Sequence, residues 1–437
     1  MSTRRTTQIF CASTLYGAVT IAAALDSGCF GTADRRILLV TNNAAVPETT
    51  PPLDEAEGFD RLRGRFDSVL SWNETISPLH PGGWTPRPSD LPLLQRHLRK
   101  LWDLGDDRVE LALESPQVTP ALAIAQLLPD APITVYADGL MSYGPTRNKI
   151  DPLIGGRVGR LLHLDLVPGL APLLLAEFGA VAETVPTEAF TKVVEELTGP
   201  VAAGDGPALL LGQYLAALNL LTAAEEEELH LRMVRGAIAL GHRRLVFKPH
   251  PTAPDAWSRT LVREAADLGA ELTVEDRPVL AEVLYGELRP ALVVGCFSTA
   301  LLTARTFYGL PVARVGTGTL LERLTPFQNS NRIPLTVVDA VVPPLEDGEA
   351  AAAEIGTAQL NDLVAAVGFA MQPKIRPELR EPAVRHLSGP LAERTRHHFT
   401  RRRLTVLNLP GGIPLPRHPQ VRRLARRALR LRRALKR

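Results

Sequence analysis

Three short stretches of this 437-residue chain hold side chains able to do chemistry on a phosphate-activated substrate. The first is Lys248-Pro249-His250-Pro251, where an imidazole sits between two prolines directly after the apolar run Leu245-Val246-Phe247. Such a histidine can hydrogen-bond a phosphate or give it a proton; it also reads as an ordinary turn residue. The second is Asp138-Gly139, after Thr134-Val135-Tyr136-Ala137. Its carboxylate can act as a general base toward an attacking hydroxyl, or can simply hydrogen-bond its own backbone in an Asp-Gly turn eased by the glycine. The third is Ser298-Thr299, after Leu292-Val293-Val294-Gly295. These hydroxyls can cap a helix and, with its free N–H groups, hold phosphate oxygens; capping alone is the plainer reading.

All three follow apolar runs that read as buried parallel strands, which places them at C-terminal strand edges, where open α/β sheets bind ligands. The chain predicts strands near residues 8–12, 36–41, 69–72, 109–113, 132–136, 161–167 and 180–185, with helices between them. A Gly/Pro/Ala-rich stretch at 198–207 then separates a second cycle, with strands near 208–212, 245–247, 271–274, 291–296 and 312–315. The expectation is α/β: two doubly wound, Rossmann-like domains facing a cleft, the GT-B arrangement of many nucleotide-sugar transferases. Residues 1–199 form the first domain, with Asp138, and 200–345 the second, with His250 and Ser298. A helical or irregular extension follows over 346–420, including a helix at 350–369.

Composition narrows the class. The chain is 45% hydrophobic and 22% charged, with formal net charge +2, ordinary values for a globular protein. That charge is uneven: residues 421–437 carry nine Lys and Arg and no Asp or Glu, which leaves −7 on the remainder. This tail reads as a basic amphipathic helix with Val421, Leu424, Ala425, Ala428, Leu431 and Leu435 on one face. It would suit the anionic inner face of a membrane; a solvated helix is the alternative, and the lack of aromatic residues for stacking argues against nucleic acid. Three cysteines without metal spacing, no cleavage-like leader and no spanning segment point to a cytoplasmic protein.

In order and separation the motifs resemble those of bacterial sialyltransferases of the polysialyltransferase and lipooligosaccharide type. Those carry an acidic-acidic-Gly triplet, a His-Pro dipeptide and a Ser-Ser/Thr pair. Here they match as Asp138-Gly139, His250-Pro251 and Ser298-Thr299, and the likeness extends over residues 8–320, including Leu211-Gly212-Gln213. The resemblance implies CMP-sialic acid as donor, a glycan as acceptor, inversion at the anomeric carbon and no obligatory metal or cofactor. It implies Asp138 as base, His250 as phosphate contact and acid, and Ser298 and Thr299 on the same phosphate. Glu282 is then a candidate for the donor ribose, or a solvated carboxylate in a first helical turn. Gln213 is a further donor-side candidate, or an exposed loop residue; Tyr143 and Arg147 are candidates for the acceptor or the donor carboxylate, or plain loop residues. One departure stands out, since Ala137 occupies the first acidic position. Two alternatives stay open: a transferase using another CMP- or CDP-linked donor such as CMP-Kdo or CDP-glycerol, or a catalytically degenerate nucleotide-binding protein.

Overall fold

Runs such as Ile9-Phe10 and Ile37-Leu38-Leu39 are apolar on both strand faces, and the side chains are fully buried between layers of helices. The computed structural model describes residues 4–137, 139–201, 206–250, 255–347 and 355–413. Its first sheet contains β1 (Thr6–Ala12), β2 (Arg35–Val40), β3 (Ser68–Ser71), β4 (Arg108–Leu113), β5 (Ile133–Ala137), β6 (Val158–Leu164) and β7 (Val181–Val185). They lie in the order β3-β2-β1-β4-β5-β6-β7 and pair in parallel throughout. The second sheet, of β8 (Ala208–Leu211), β9 (Arg244–Lys248), β10 (Glu271–Val274), β11 (Leu292–Gly295) and β12 (Val312–Arg314), runs β10-β9-β8-β11-β12, again all parallel.

Both orders reverse direction once, between β1 and β4 and between β8 and β11. At these switch points the connections leave toward opposite faces and open a crevice at the strand C-termini. The two crevices face one another, which is the GT-B arrangement expected from the strand–helix alternation. The predicted strand 271–274 is matched at both ends, while other strand ends move by up to three residues, because hydrogen-bonded pairing and not hydrophobicity closes a strand. The helix Ala223–Ala239 starts where its capping box dictates: Thr222 Oγ1 accepts from the Glu225 amide, and Glu225 accepts in return from the Thr222 amide.

The domains touch along one side of the cleft. Thr306 donates to the Leu166 carbonyl at 2.9 Å, the Gly199 amide donates to Glu287 at 3.0 Å, and the Phe190 and Phe307 rings meet at 5.6 Å. The chain beyond the second sheet is more regular than the expected extension. The helix Thr357–Met371, buried along most of its length, packs against the helices Arg332–Val341 and Arg380–Ser388. It also returns to the first domain: Asn361 donates to Gly169 O and accepts from the Ala171 amide, Gln372 donates to Arg147 O, and Arg376 donates to Leu173 O. Residues 421–437, expected as a basic helix, lie outside the described residues.

Arg332 locks this brace. Its guanidinium is 1% exposed, donates to the carbonyls of Leu324 at 2.7 Å and Phe327 at 3.0 Å, and stacks 4.0 Å from the Phe327 ring. Burial pulls its pKa down to about 10, still charged at neutral pH. Removing a buried charged donor strands these carbonyls, at a cost of about 3 kcal/mol. Arg332→Met is therefore expected to lower the thermal unfolding midpoint by several degrees, as followed by circular dichroism; an unchanged midpoint would contradict this role.

Candidate active site

The second domain supplies one wall of the cleft. β9 ends at Lys248, and Pro249 stops the ladder, so that His250 projects beyond the strand edge into the cleft. Its ring lies 6.3 Å from that of Tyr214, another residue of the wall. His250 is exposed toward the cleft, yet the surrounding wall removes enough water to push its pKa below the ordinary histidine value, and the positive charge of Lys248 pushes it the same way. On the other side of the switch point, the chain leaves β11 through Cys296 and Phe297 and reaches Ser298, whose hydroxyl caps the helix Thr299–Tyr308 by accepting from the Ala300 amide at 3.2 Å. Gln213, just after β8, spans the crevice: its Oε1 accepts from the Phe297 amide at 2.8 Å and so sets the path of the chain into Ser298. His250, Ser298, Thr299 and Gln213 therefore line one surface.

The first domain supplies the opposing wall with Glu114, Gln117, Ala137, Gly139 and Arg147. Gly139 adopts φ −139°, ψ 178°, an extended conformation open to any residue, so the turn expected of it is not the reason for a glycine. Room is tight instead: a Cβ here would stand 3.2 Å from Thr299 Oγ1 of the other domain, which would have to give by a few tenths of an ångström. The two walls are thus in near contact at the motif glycine, and around that point they enclose a cavity of about 600 Å³, the size of a small-molecule site. Arg147 crosses the cleft mouth, donating to Ser330 Oγ at 3.2 Å, while its own amide donates to Gln117 at 2.7 Å.

Two candidates lie elsewhere. Tyr143 is fully buried rather than a wall residue: its hydroxyl accepts from the Val167 amide at 3.2 Å and faces the Leu164 carbonyl, holding the loop after β6. The apolar packing that follows the Asp-Gly turn draws the ring into the core, so the acceptor contact expected of it is corrected. Glu282 is also buried, at 2% exposure, with Thr303 donating to Oε1 at 2.6 Å. Burial raises its carboxyl pKa, opposed by the Thr303 hydrogen bond and by Lys248. It is neither a solvated first-turn group nor part of the cavity lining; it joins the helix Ala281–Leu288 to the helix that carries Thr299. Asp138 and Pro251 lie outside the described residues.

The structure adds residues that the motifs did not single out. Ser13 and Glu114 follow β1 and β4 across the first switch point, and Ser13 Oγ donates to Glu114 Oε2 at 2.8 Å. A carboxylate ending the predicted strand 109–113 carries the same signal as Asp138, and that signal could have found it. Asn331, Ile333 and Pro334 also reach the cleft from the C-terminal brace, without a local sequence signal. Among the described residues, one trio of metal-ligating side chains converges, Asp339, His397 and His398, away from the cleft. Asp339 is already engaged by Arg314 and Thr317, and His397 Nε2 lies 2.7 Å from it.

The chain matches a family model described as alpha-2,8-polysialyltransferase (POLYST) over residues 8–317. Comparison with curated protein sequences finds no match. Among solved structures, it is similar to the GT-B domain of a sialyltransferase from Photobacterium damselae, at 12% identity over 76% of this chain and 96% of that one, TM-score 0.40. A Photobacterium 2,6-sialyltransferase, solved in a ternary complex with CMP and lactose, is 12% identical over 76% of this chain and 75% of that one, TM-score 0.37. MurG from Acinetobacter baumannii is 13% identical over 90% of this chain and 97% of that one, TM-score 0.39. The family match takes in both sheets and all three motifs, and the chain belongs to the alpha-2,8-polysialyltransferase family of sialyltransferase-like glycosyltransferases.

Proposed function

We propose that the chain transfers sialic acid from CMP-sialic acid to a glycan acceptor of the cell surface, with inversion at the anomeric carbon. The observation that carries this reading is the convergence of His250, Ser298 and Thr299 on one wall of a cavity whose opposite wall contains Gly139, the chain neighbour of Asp138. Supporting it, the donor-side wall combines a helix N-terminus with an imidazole whose pKa is lowered by partial burial and by Lys248.

In this mechanism the donor phosphate lies between His250 and the Ser298-Thr299 amides and hydroxyls, with Gln213 holding that loop in place and Pro251 restricting the chain after His250. As the glycosidic C–O bond breaks, charge builds on the departing CMP phosphate; His250 gives it a proton and the helix N-terminus bears the rest. Asp138 takes the proton of the acceptor hydroxyl that attacks the opposite face of the anomeric carbon. Arg147, at the cleft mouth, pairs with a carboxylate of donor or acceptor, for which a planar guanidinium is suited. The basic segment 421–437 holds the enzyme peripherally at the anionic inner face of the membrane, beside a membrane-attached acceptor.

The decisive assay is CMP release from CMP-sialic acid with and without sialylated glycans, alongside CMP-Kdo and CDP-glycerol. Acceptor-stimulated release confined to CMP-sialic acid is expected, and release from another donor alone would transfer the reading to that donor. In the same assay Asp138→Asn should lower kcat by about 10²- to 10⁴-fold with unchanged CMP affinity; a rate near wild type would remove Asp138 as base. Because the cleft wall holds the His250 pKa low and a bound phosphate favours its charged form, proton uptake accompanies binding. Affinity for CMP should therefore fall as pH rises from the lowered value of the free imidazole toward the raised value of the phosphate-bound one. Calorimetry on His250→Ala should show weaker binding without that slope, and an identical slope would refute the contact. Deleting 421–437 should abolish cosedimentation with anionic liposomes and spare turnover on soluble acceptors; undiminished cosedimentation would refute the anchor.

A further inference from the structure

Glu114 is the acidic side chain among the described residues of the cavity lining, and no motif accounts for it. It follows β4 directly, at the first switch point. The β4–β5 register pairs Leu113 with Val135, which carries the next residues of β4 alongside Tyr136 and Ala137, the position at which the motif lacks an acidic residue. Ser13, at the end of β1, donates to Oε2 at 2.8 Å, so one carboxyl oxygen anchors the side chain at the cavity wall and Oε1 is not used by that bond. This bridge mirrors the one that Gln213 makes at the other switch point, so each wall has one polar link across its crevice, and this one ends in a carboxyl.

We propose that Glu114, oriented by Ser13, is a sugar-binding residue of the acceptor wall, where its carboxyl hydrogen-bonds hydroxyl groups of the glycan that receives the transferred sugar. A carboxyl suits this task because Oε1, with two lone pairs outside the Ser13 bond, can accept from ring hydroxyls. Burial raises the carboxyl pKa of Glu114, opposed by the Ser13 hydrogen bond. Its place on the first domain, opposite His250 and Thr299, puts it on the side from which an acceptor approaches.

The inference rests on the transferase reading, and the experiment separates the two. Wild type, Glu114→Gln, Glu114→Ala and Ser13→Ala are compared in CMP-sialic acid turnover with sialyllactose as acceptor, together with CMP affinity and acceptor-free donor hydrolysis. Glu114→Ala should raise the acceptor KM at least tenfold, Glu114→Gln less because its amide still hydrogen-bonds, and Ser13→Ala by a few fold. CMP affinity and acceptor-free hydrolysis should stay at wild-type values, which a folding defect would not allow. An unchanged acceptor KM in Glu114→Ala, or a change confined to CMP affinity or donor hydrolysis, overturns the assignment. Should wild type release CMP from no donor, the transferase reading fails by itself, and saturation-transfer NMR with sialyllactose decides the residue. A transfer signal present in wild type and absent in Glu114→Ala supports it; equal signals in the two proteins, or no signal in wild type, overturn it.

Discussion

A parallel sheet spends its backbone hydrogen bonds on neighbouring strands and its side chains on helices packed over both faces, so free polar groups can collect only where strands end. In this chain that constraint acts twice, at the C-terminal edges flanking β1 and β8. At each, one side chain reaches across the gap between diverging connections: Ser13 to Glu114 in the first sheet, Gln213 to the Phe297 amide in the second. Everything that faces the cavity is carried on these two edges or on segments braced against them. At the Gly139–Thr299 approach the edges come close enough that a Cβ on residue 139 would need the threonine hydroxyl to give by a few tenths of an ångström.

Relative placement of the two domains is held from outside the cavity. On one side, Thr306 and Phe307 of the helix that begins at Thr299 touch the first domain. On the other, the helix Thr357–Met371 belongs in sequence to the end of the chain but binds the segment between β6 and β7 through Asn361. The buried Arg332 turns the intervening chain so that Asn331, Ile333 and Pro334 complete the cleft. A site assembled from both domains thus depends on hydrogen bonds far from its chemistry, a general condition for holding reacting groups in alignment.

The electrostatics of the cavity are restrained. Burial moves both His250 and Glu114 toward their neutral forms, though the two titrate in opposite charge directions. Charge is thus disfavoured at both positions, while the helix N-terminus at Ser298 offers a dipole that needs no counterion.

How much of this the chain declares locally varies by element. The strand–helix alternation is written in apolar runs such as 292–295, bounded by glycine and hydroxyl residues, so the two doubly wound sheets were legible, as were the motif positions His250 and Ser298-Thr299 at strand ends. Local patterns determine such features because strand length, helix capping and proline stops are decided by neighbours in sequence. Tertiary structure alone decided the rest. That Tyr143 and Glu282 turn inward, that Gly139 lies close against Thr299 of the other domain, and that Glu114 and the 331–334 segment join the cavity all depend on contacts between residues distant in the chain. The return of Thr357–Met371 to the first domain is of the same kind: burial of a helix face identifies that it must pack, and only the assembled surfaces determine against what.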